Sequence, residues 1–154
     1  MTSEIDATDL RILNHLQKDG RMTNAELSER INLSPSACHR RVQRLEDDGF
    51  IAAYVALLDP RRMGRPTTVF VEITLQRQAE DVLDAFEREV ARVPDLLECH
   101  LMAGKADYLL KILVEDGEDF ARIHRQYLSR LPGVAQMQSS FALRTVFKTT
   151  AISV

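Results

Sequence analysis

Thr23–Gly49, TNAELSERINLSPSACHRRVQRLEDDG, is the stretch on which the reading of the chain turns. Thr23 followed three residues later by Glu26 fits a capping box, in which hydroxyl and carboxylate each satisfy an orphan backbone N–H, so a helix begins near Asn24. Asn32-Leu33-Ser34-Pro35 interrupts it: Ser34 is a good N-cap, and Pro35 suits the first helical position because its missing N–H would be unpaired there anyway. The second helix runs from Pro35 until Gly49 stops it. Two short, separately capped helices joined by a tight turn are the sequence form of a helix-turn-helix.

The faces of the second helix carry the functional reading. At about 100° per residue, Cys38, Val42 and Leu45 fall on one narrow stripe, while Ser36, His39, Arg40, Gln43 and Arg44 fall around the opposite side. One face can pack and the other can read. A helix fits the major groove of B-DNA, where Arg makes its commonest specific contact with guanine, Gln pairs with adenine, and Ser is permissive. Alone, a run such as HRRVQRLEDD reads better as a solvated surface; the capped helix and tight turn before it reverse that preference in favour of DNA.

With 154 residues, 45% of them hydrophobic, the chain is long enough for one domain or two small ones with real cores. No apolar run approaches the roughly 18 to 20 residues that span a bilayer, and the N-terminus MTSEIDATD is polar and acidic rather than signal-like, so a cytoplasmic protein is expected. Cys38 and Cys99 are too few for a disulfide framework and read as core thiols. Net charge is −3 and the pI about 5.8, against indiscriminate nucleic-acid binding. The acidity belongs to the C-terminal half: residues 1–66 hold ten Lys/Arg and ten Asp/Glu, residues 67–154 ten and thirteen. Arg40, Arg41 and Arg44 cluster on one helix and Arg61, Arg62 and Arg65 beyond it, and counterion release depends on such local phosphate contacts rather than on total charge.

Ahead of the motif, Asp6-Ala7-Thr8-Asp9 looks like another helix start, followed by Leu10, Leu13 and Leu16 at helical spacing, which gives a three-helix unit. After Gly49, residues 50–58 are rich in strand-tolerant types up to Asp59-Pro60, and Arg61 to Pro66 reads as a linker. The second half alternates strand and helix periods: strand Thr67 to Leu75, helix Ala79 to Val93, strands Leu96 to Met102 and Tyr108 to Glu115 around the turn 103–107, helix Gly117 to Leu131 with Tyr127 inward, and strand Val134 to Lys148. The order is βαββαβ, a split βαβ plait. The expected class is α+β, with a winged-type helix-turn-helix domain over 1–50, a β linker over 51–66 and a ferredoxin-like domain over 67–154.

Other chemistries find little support. His15, His39, His100 and His124 are scattered, and neighbouring Cys99 and His100 on a strand point to opposite faces, so no metal site is expected. Glu115-Asp116 and Glu118-Asp119 frame a helix start, where acids favour the macrodipole, and no phosphate loop or nucleophile elbow appears. No catalytic residue and no cofactor is expected.

Arg21 to Leu27, Leu33 to Pro35, Arg41 to Glu46, Gly49 to Ile51, Gly104 with Asp107-Tyr108, and Leu131 to Val134 together resemble the Lrp/AsnC family of leucine- and asparagine-responsive transcriptional regulators, over about Ile5 to Lys148. The resemblance implies a homodimer, commonly assembled to an octamer or similar ring, that binds double-stranded operator DNA and an amino acid effector. It places DNA binding on Thr23, Asn24, Ser34, Ser36, His39, Arg40, Arg41, Gln43 and Arg44. The effector site, between protomers, falls on Leu101, Met102, Ala103, Gly104 and Asp107 with Gln136, Gln138, Ser139, Ser140 and Phe141. There the turn N–H groups and the Asp107 carboxylate would complement an amino acid's two charges, and Ser139 and Ser140 would add hydroxyls. Ala106 departs from the family, which often has an aromatic residue before the Asp. The leading function is a sequence-specific transcriptional regulator gated by an amino acid; the alternative is a ligand-binding or degradative plait enzyme with an added helical module.

Overall fold

The computed structural model describes residues 4–154; Met1–Ser3, part of the domain expected over 1–50, lie outside the described residues. The chain forms two compact units, one running up to Leu57 and including Phe147–Val154, the other Leu58–Val146.

In the first unit α1 (Ala7–Leu16), α2 (Asn24–Ile31) and α3 (Pro35–Asp47) enclose a core of Ile12, Leu16, Leu27, Ile31, Cys38 and Leu45. Each helix start is built as its sequence dictates. Asp6 with Asp9, and Thr23 with Glu26, form reciprocal capping boxes, while the Ser34 hydroxyl accepts the Ala37 N–H behind Pro35. The ends of α2 and α3 are closed alike. Asn32 (φ 56) and Gly49 (φ 78) adopt the left-handed conformation, and the N–H groups of Leu33 and Phe50 reach back to the carbonyls of Ser28 and Leu45. These are Schellman closures, which satisfy otherwise orphaned carbonyls.

Three expectations change here. The inward face of α1 is Asp9, Ile12 and Leu16, with Leu10 and Leu13 only half-buried. A buried carboxylate hides this face from a search for apolar periodicity, and its charge is compensated by arginines of α3. The β linker expected after Gly49 pairs with no strand: residues 52–58 make no backbone hydrogen bond among the described residues. Tyr54, Val55, Leu57 and Leu58 are exposed, and a strand without a neighbour has no ladder to hold it. The tail groups with this unit instead of with the domain expected over 67–154. The Gln17 side chain donates to the Ile152 carbonyl at 2.7 Å and accepts its N–H at 2.9 Å.

The second unit is the expected plait. β1 (Thr67–Leu75), α4 (Glu80–Val90), β2 (Leu96–Leu101), β3 (Tyr108–Val114), α5 (Gly117–Gln126) and β4 (Val134–Phe141) form an antiparallel sheet in the order β2-β3-β1-β4. Alternation along β1 and β3 sends Val69, Val71, Ile73, Leu75, Tyr108, Leu110, Ile112 and Val114 to one face, against Phe86 and Val90 of α4 and Phe120 and Ile123 of α5. Helix α5 stops earlier than expected. Tyr127 leaves helical geometry (φ −123) and is exposed, and a following 3₁₀ turn, Leu128–Arg130, inserts Leu128 into the core instead. Strand β4 also ends at Phe141 instead of reaching Lys148. Its partner β1 offers the last rung at Thr68, whose carbonyl accepts the Ala142 N–H, and beyond that Leu143, Val146 and Phe147 lie exposed.

Candidate functional site

The helix α3 separates its side chains by duty. Cys38 and Leu45 are fully buried, Val42 packs beside them, and Ser36, His39, Arg40 and Gln43 form the exposed face. Arg44, expected on that face, does not belong to it. Its guanidinium is paired with Asp9 of α1, while Arg41 Nη1 bridges Asp9 Oδ1 at 2.8 Å and Asp6 Oδ2 at 2.7 Å. Asp9 has no solvent exposure, so this cluster is a partly buried ion network rather than a surface pair. Asp6 is held down to about 2, first by the Asp9 N–H and then by Arg41. Thr23 and Ser34 spend their hydroxyls on helix caps, and the Asn24 side-chain amide donates to the Pro35 carbonyl at 2.8 Å, tying α2 to the start of α3. Of the nine positions expected to touch DNA, five are thus engaged in holding the motif together; the other four, Ser36, His39, Arg40 and Gln43, are exposed, with the Ser36 hydroxyl 3.3 Å from that of Ser34 and the Gln43 amide donating to Asp47 at 3.0 Å.

In the second unit the sheet has one face without helices. Register places Glu72 opposite Gln138, Thr74 opposite Gln136, and Phe70 opposite Ser140 on that face, whereas Ser139 and Phe141 sit opposite Val71 and Val69 on the helix side. Phe141 packs edge-on against Phe120 of α5, with ring centroids 5.3 Å apart. The two hydroxyls expected to act together therefore point apart, as the two-residue period of a strand requires. The turn Leu101–Lys105 is exposed, as expected for a ligand surface. Asp107 is not. It is buried, and its carboxylate accepts the Leu75 N–H at 2.7 Å and the Gln78 side-chain amide, extending the β1–β3 ladder by one rung. A recess of about 70 Å³ opens nearby between Glu72, Thr74, Lys105, Ala106, Gln136 and Gln138. Glu72, Thr74 and Lys105 were missed from the sequence; the polar alternation of β1 outside its apolar face was the signal for the first two.

Tyr108, at the start of β3 after the turn, is buried. Tyr108 stacks on Phe86 with ring centroids 4.4 Å apart, and its hydroxyl donates to Glu87 at 2.6 Å. Burial, then Glu87, raises that phenol far above its ordinary value. Among the described residues no group of three or more His, Cys, Asp or Glu is placed to hold a metal ion, and no helix is long and apolar enough to cross a membrane.

A capped helix-turn-helix joined to a plait with an open polar recess defines a two-domain, DNA-binding regulator with a ligand-binding half. Residues 5–52 match the winged helix-turn-helix DNA-binding family, and residues 68–152 match the Lrp/AsnC ligand binding domain. The chain is 46% identical over 143 residues to the leucine-responsive regulatory protein of Escherichia coli (strain K12), covering 93% of this chain and 87% of that protein. Among solved structures it is similar to a transcriptional regulator from Neisseria meningitidis in complex with L-methionine (39% identity, TM-score 0.92, 97% and 96% of the two chains covered). It is also similar to an AsnC family regulator from Agrobacterium tumefaciens (32% identity, TM-score 0.92, 96% of each chain). The chain belongs to the Lrp/AsnC family of transcriptional regulators.

Proposed function

We propose that α3 lies in the major groove of operator DNA with Ser36, His39, Arg40 and Gln43 toward the bases, and that an apolar amino acid, leucine or methionine, binds beside the turn 101–106 and sets how the reading helices are presented. The observation that carries the DNA half is the exposed quartet on a helix whose start, end and opposite face are all fixed. For the ligand half, Lys105 offers a cation for the carboxylate and Glu72 an anion for the ammonium. Leu101 and Met102, 61% and 42% exposed, offer apolar surface to the ligand's side chain. The leucine responsiveness in the name of the Escherichia coli relative and the L-methionine in the complex of the Neisseria meningitidis one favour this class.

Homodimers, built up to an octamer or similar ring in the cytoplasm, are the proposed working form. The helix-free sheet face carries Phe70 and the half-buried Leu109 and Leu113, apolar surface suited to a second copy. A ligand bound between protomers then shifts the balance of assemblies by its differential affinity, and with it the spacing of paired α3 helices.

Two measurements test the halves separately. Each bidentate base contact discriminates by about 1–3 kcal/mol, so Arg40→Ala with Gln43→Ala should weaken binding to a selected operator by at least about tenfold while binding to a random duplex falls much less. Equal losses on both DNAs would remove α3 from the groove. In a thermal-shift series of amino acids, ligand at about 100 times its Kd stabilises by about 2.7 kcal/mol, so leucine or methionine should raise the melting temperature of the second unit by about 11–22 °C and Lys105→Ala should abolish the rise. An identical response to every amino acid would refute the recess as the site.

A further inference from the structure

Three arginines stand on α3, yet among the described residues only Arg40 has no carboxylate partner. The other two converge on Asp9. Its carboxylate takes Arg41 on one oxygen and Arg44 on the other, and accepts the Asp6 N–H as well, at 3.1 Å. Asp6 adds a second anion on Arg41, so the cluster of two carboxylates and two guanidiniums is neutral. Both arginine side chains nevertheless reach the surface. They keep 32% and 40% exposure while that of Asp9 keeps none, and Arg44 Nε lies buried without a partner among the described residues. The arginines are therefore able to swing outward, and Asp9 is not.

We propose that Asp9 is an internal counter-anion that withholds Arg41 and Arg44 from DNA phosphates, limiting the non-specific affinity of the reading domain and so raising its operator selectivity. For a phosphate to capture either guanidinium, a fully buried carboxylate must give up its partner, which is heavily penalised in a low-dielectric site. Non-specific binding to B-DNA is almost wholly electrostatic, and log K falls with log salt at about 0.9 per neutralised phosphate. A domain that keeps two of its α3 cations neutral is thus spared much of the attraction to random sequence. Asp9 acts here as a positioning residue, since it does not itself meet DNA. The inference rests on the placement of α3 in the groove, which the Arg40 and Gln43 substitutions address independently.

The test is the salt slope of the full-length protein on a random-sequence duplex of about thirty base pairs, with folding checked by circular dichroism and thermal melting. Asp9→Asn keeps the shape and the acceptor of the capping box but removes the charge. For each reading domain bound to the DNA it should steepen the slope by up to about 1.8 and strengthen low-salt binding by about tenfold or more, while the preference for operator over random DNA shrinks. Adding Arg41→Gln and Arg44→Gln to it should restore the original slope. A folded Asp9→Asn protein with an unchanged slope overturns the proposal. Should Asp9→Asn fail to fold, Arg41→Gln in the parent decides alone: an unchanged slope supports withholding, and a slope shallower by about 0.9 for each bound reading domain shows that Arg41 already meets phosphate and refutes it.

Discussion

Phe86→Ala should destabilise the second unit by about 3–5 kcal/mol, the largest loss expected of any single change considered for this chain. Phe86 has no solvent exposure, sits where α4 meets the sheet, and stacks on Tyr108, itself buried at the start of β3. Truncation removes the ring's burial and its aromatic contact together, and it leaves a cavity that helix and sheet, anchored elsewhere by Val90, Val71 and Leu110, can close only in part. Domains of this size are stable by only about 5–15 kcal/mol, so the variant should be near the edge of folding at physiological temperature. Urea unfolding followed by circular dichroism would show the C-terminal transition moving to much lower denaturant. Leu143→Ala, at a fully exposed position, is the control and should leave the midpoint in place. A Phe86→Ala midpoint as high as that control's would mean that α4 does not pack on the sheet as described.

How much of this was legible in the sequence depended on whether a residue's local pattern spoke for its surroundings. The caps of α2 and α3 were readable because Thr23, Glu26, Ser34, Pro35 and Gly49 act within a few residues of themselves. The plait was readable because β1 and α5 keep their periods cleanly. The failures share a cause. Asp9 on the buried face of α1, Arg44 turned away from the reading face, and Tyr127 outside while Leu128 goes in are all decided by partners distant in sequence or by a local change of helix geometry, which periodicity does not encode. On β4 a short run was treated as one patch, although adjacency in a strand separates Ser139 from Ser140. The linker 51–66 kept its strand-like composition without a strand, because pairing needs a neighbour that the single chain does not supply.

Asp107→Ala is expected to lower the ligand-free melting temperature of the second unit, by about 8–24 °C for a loss of about 2–3 kcal/mol. Read from sequence, this carboxylate would complement an effector's ammonium, and its removal would abolish the ligand response alone. The geometry gives it a different duty. With 5% exposure, it receives the Leu75 N–H where β1 and β3 have run out of backbone partners, and it also fixes the side chain of Gln78 after β1. Alanine would leave the Leu75 N–H unpaired inside the protein, and the loss includes a hydrogen bond to a charged acceptor, stronger than a neutral one. The Asp107 backbone holds the turn as well, donating to the Ile73 carbonyl and accepting the Met102 N–H, both at 2.8 Å. Loosening this corner should therefore displace Lys105 and weaken the ligand response as a secondary effect. Asp107→Asn, which keeps an acceptor for Leu75 but not the charge, should fall between parent and alanine variant in ligand-free stability. An Asp107→Ala protein that melts like the parent without ligand, yet fails to respond to any amino acid, would return Asp107 to the ligand itself and refute the structural role.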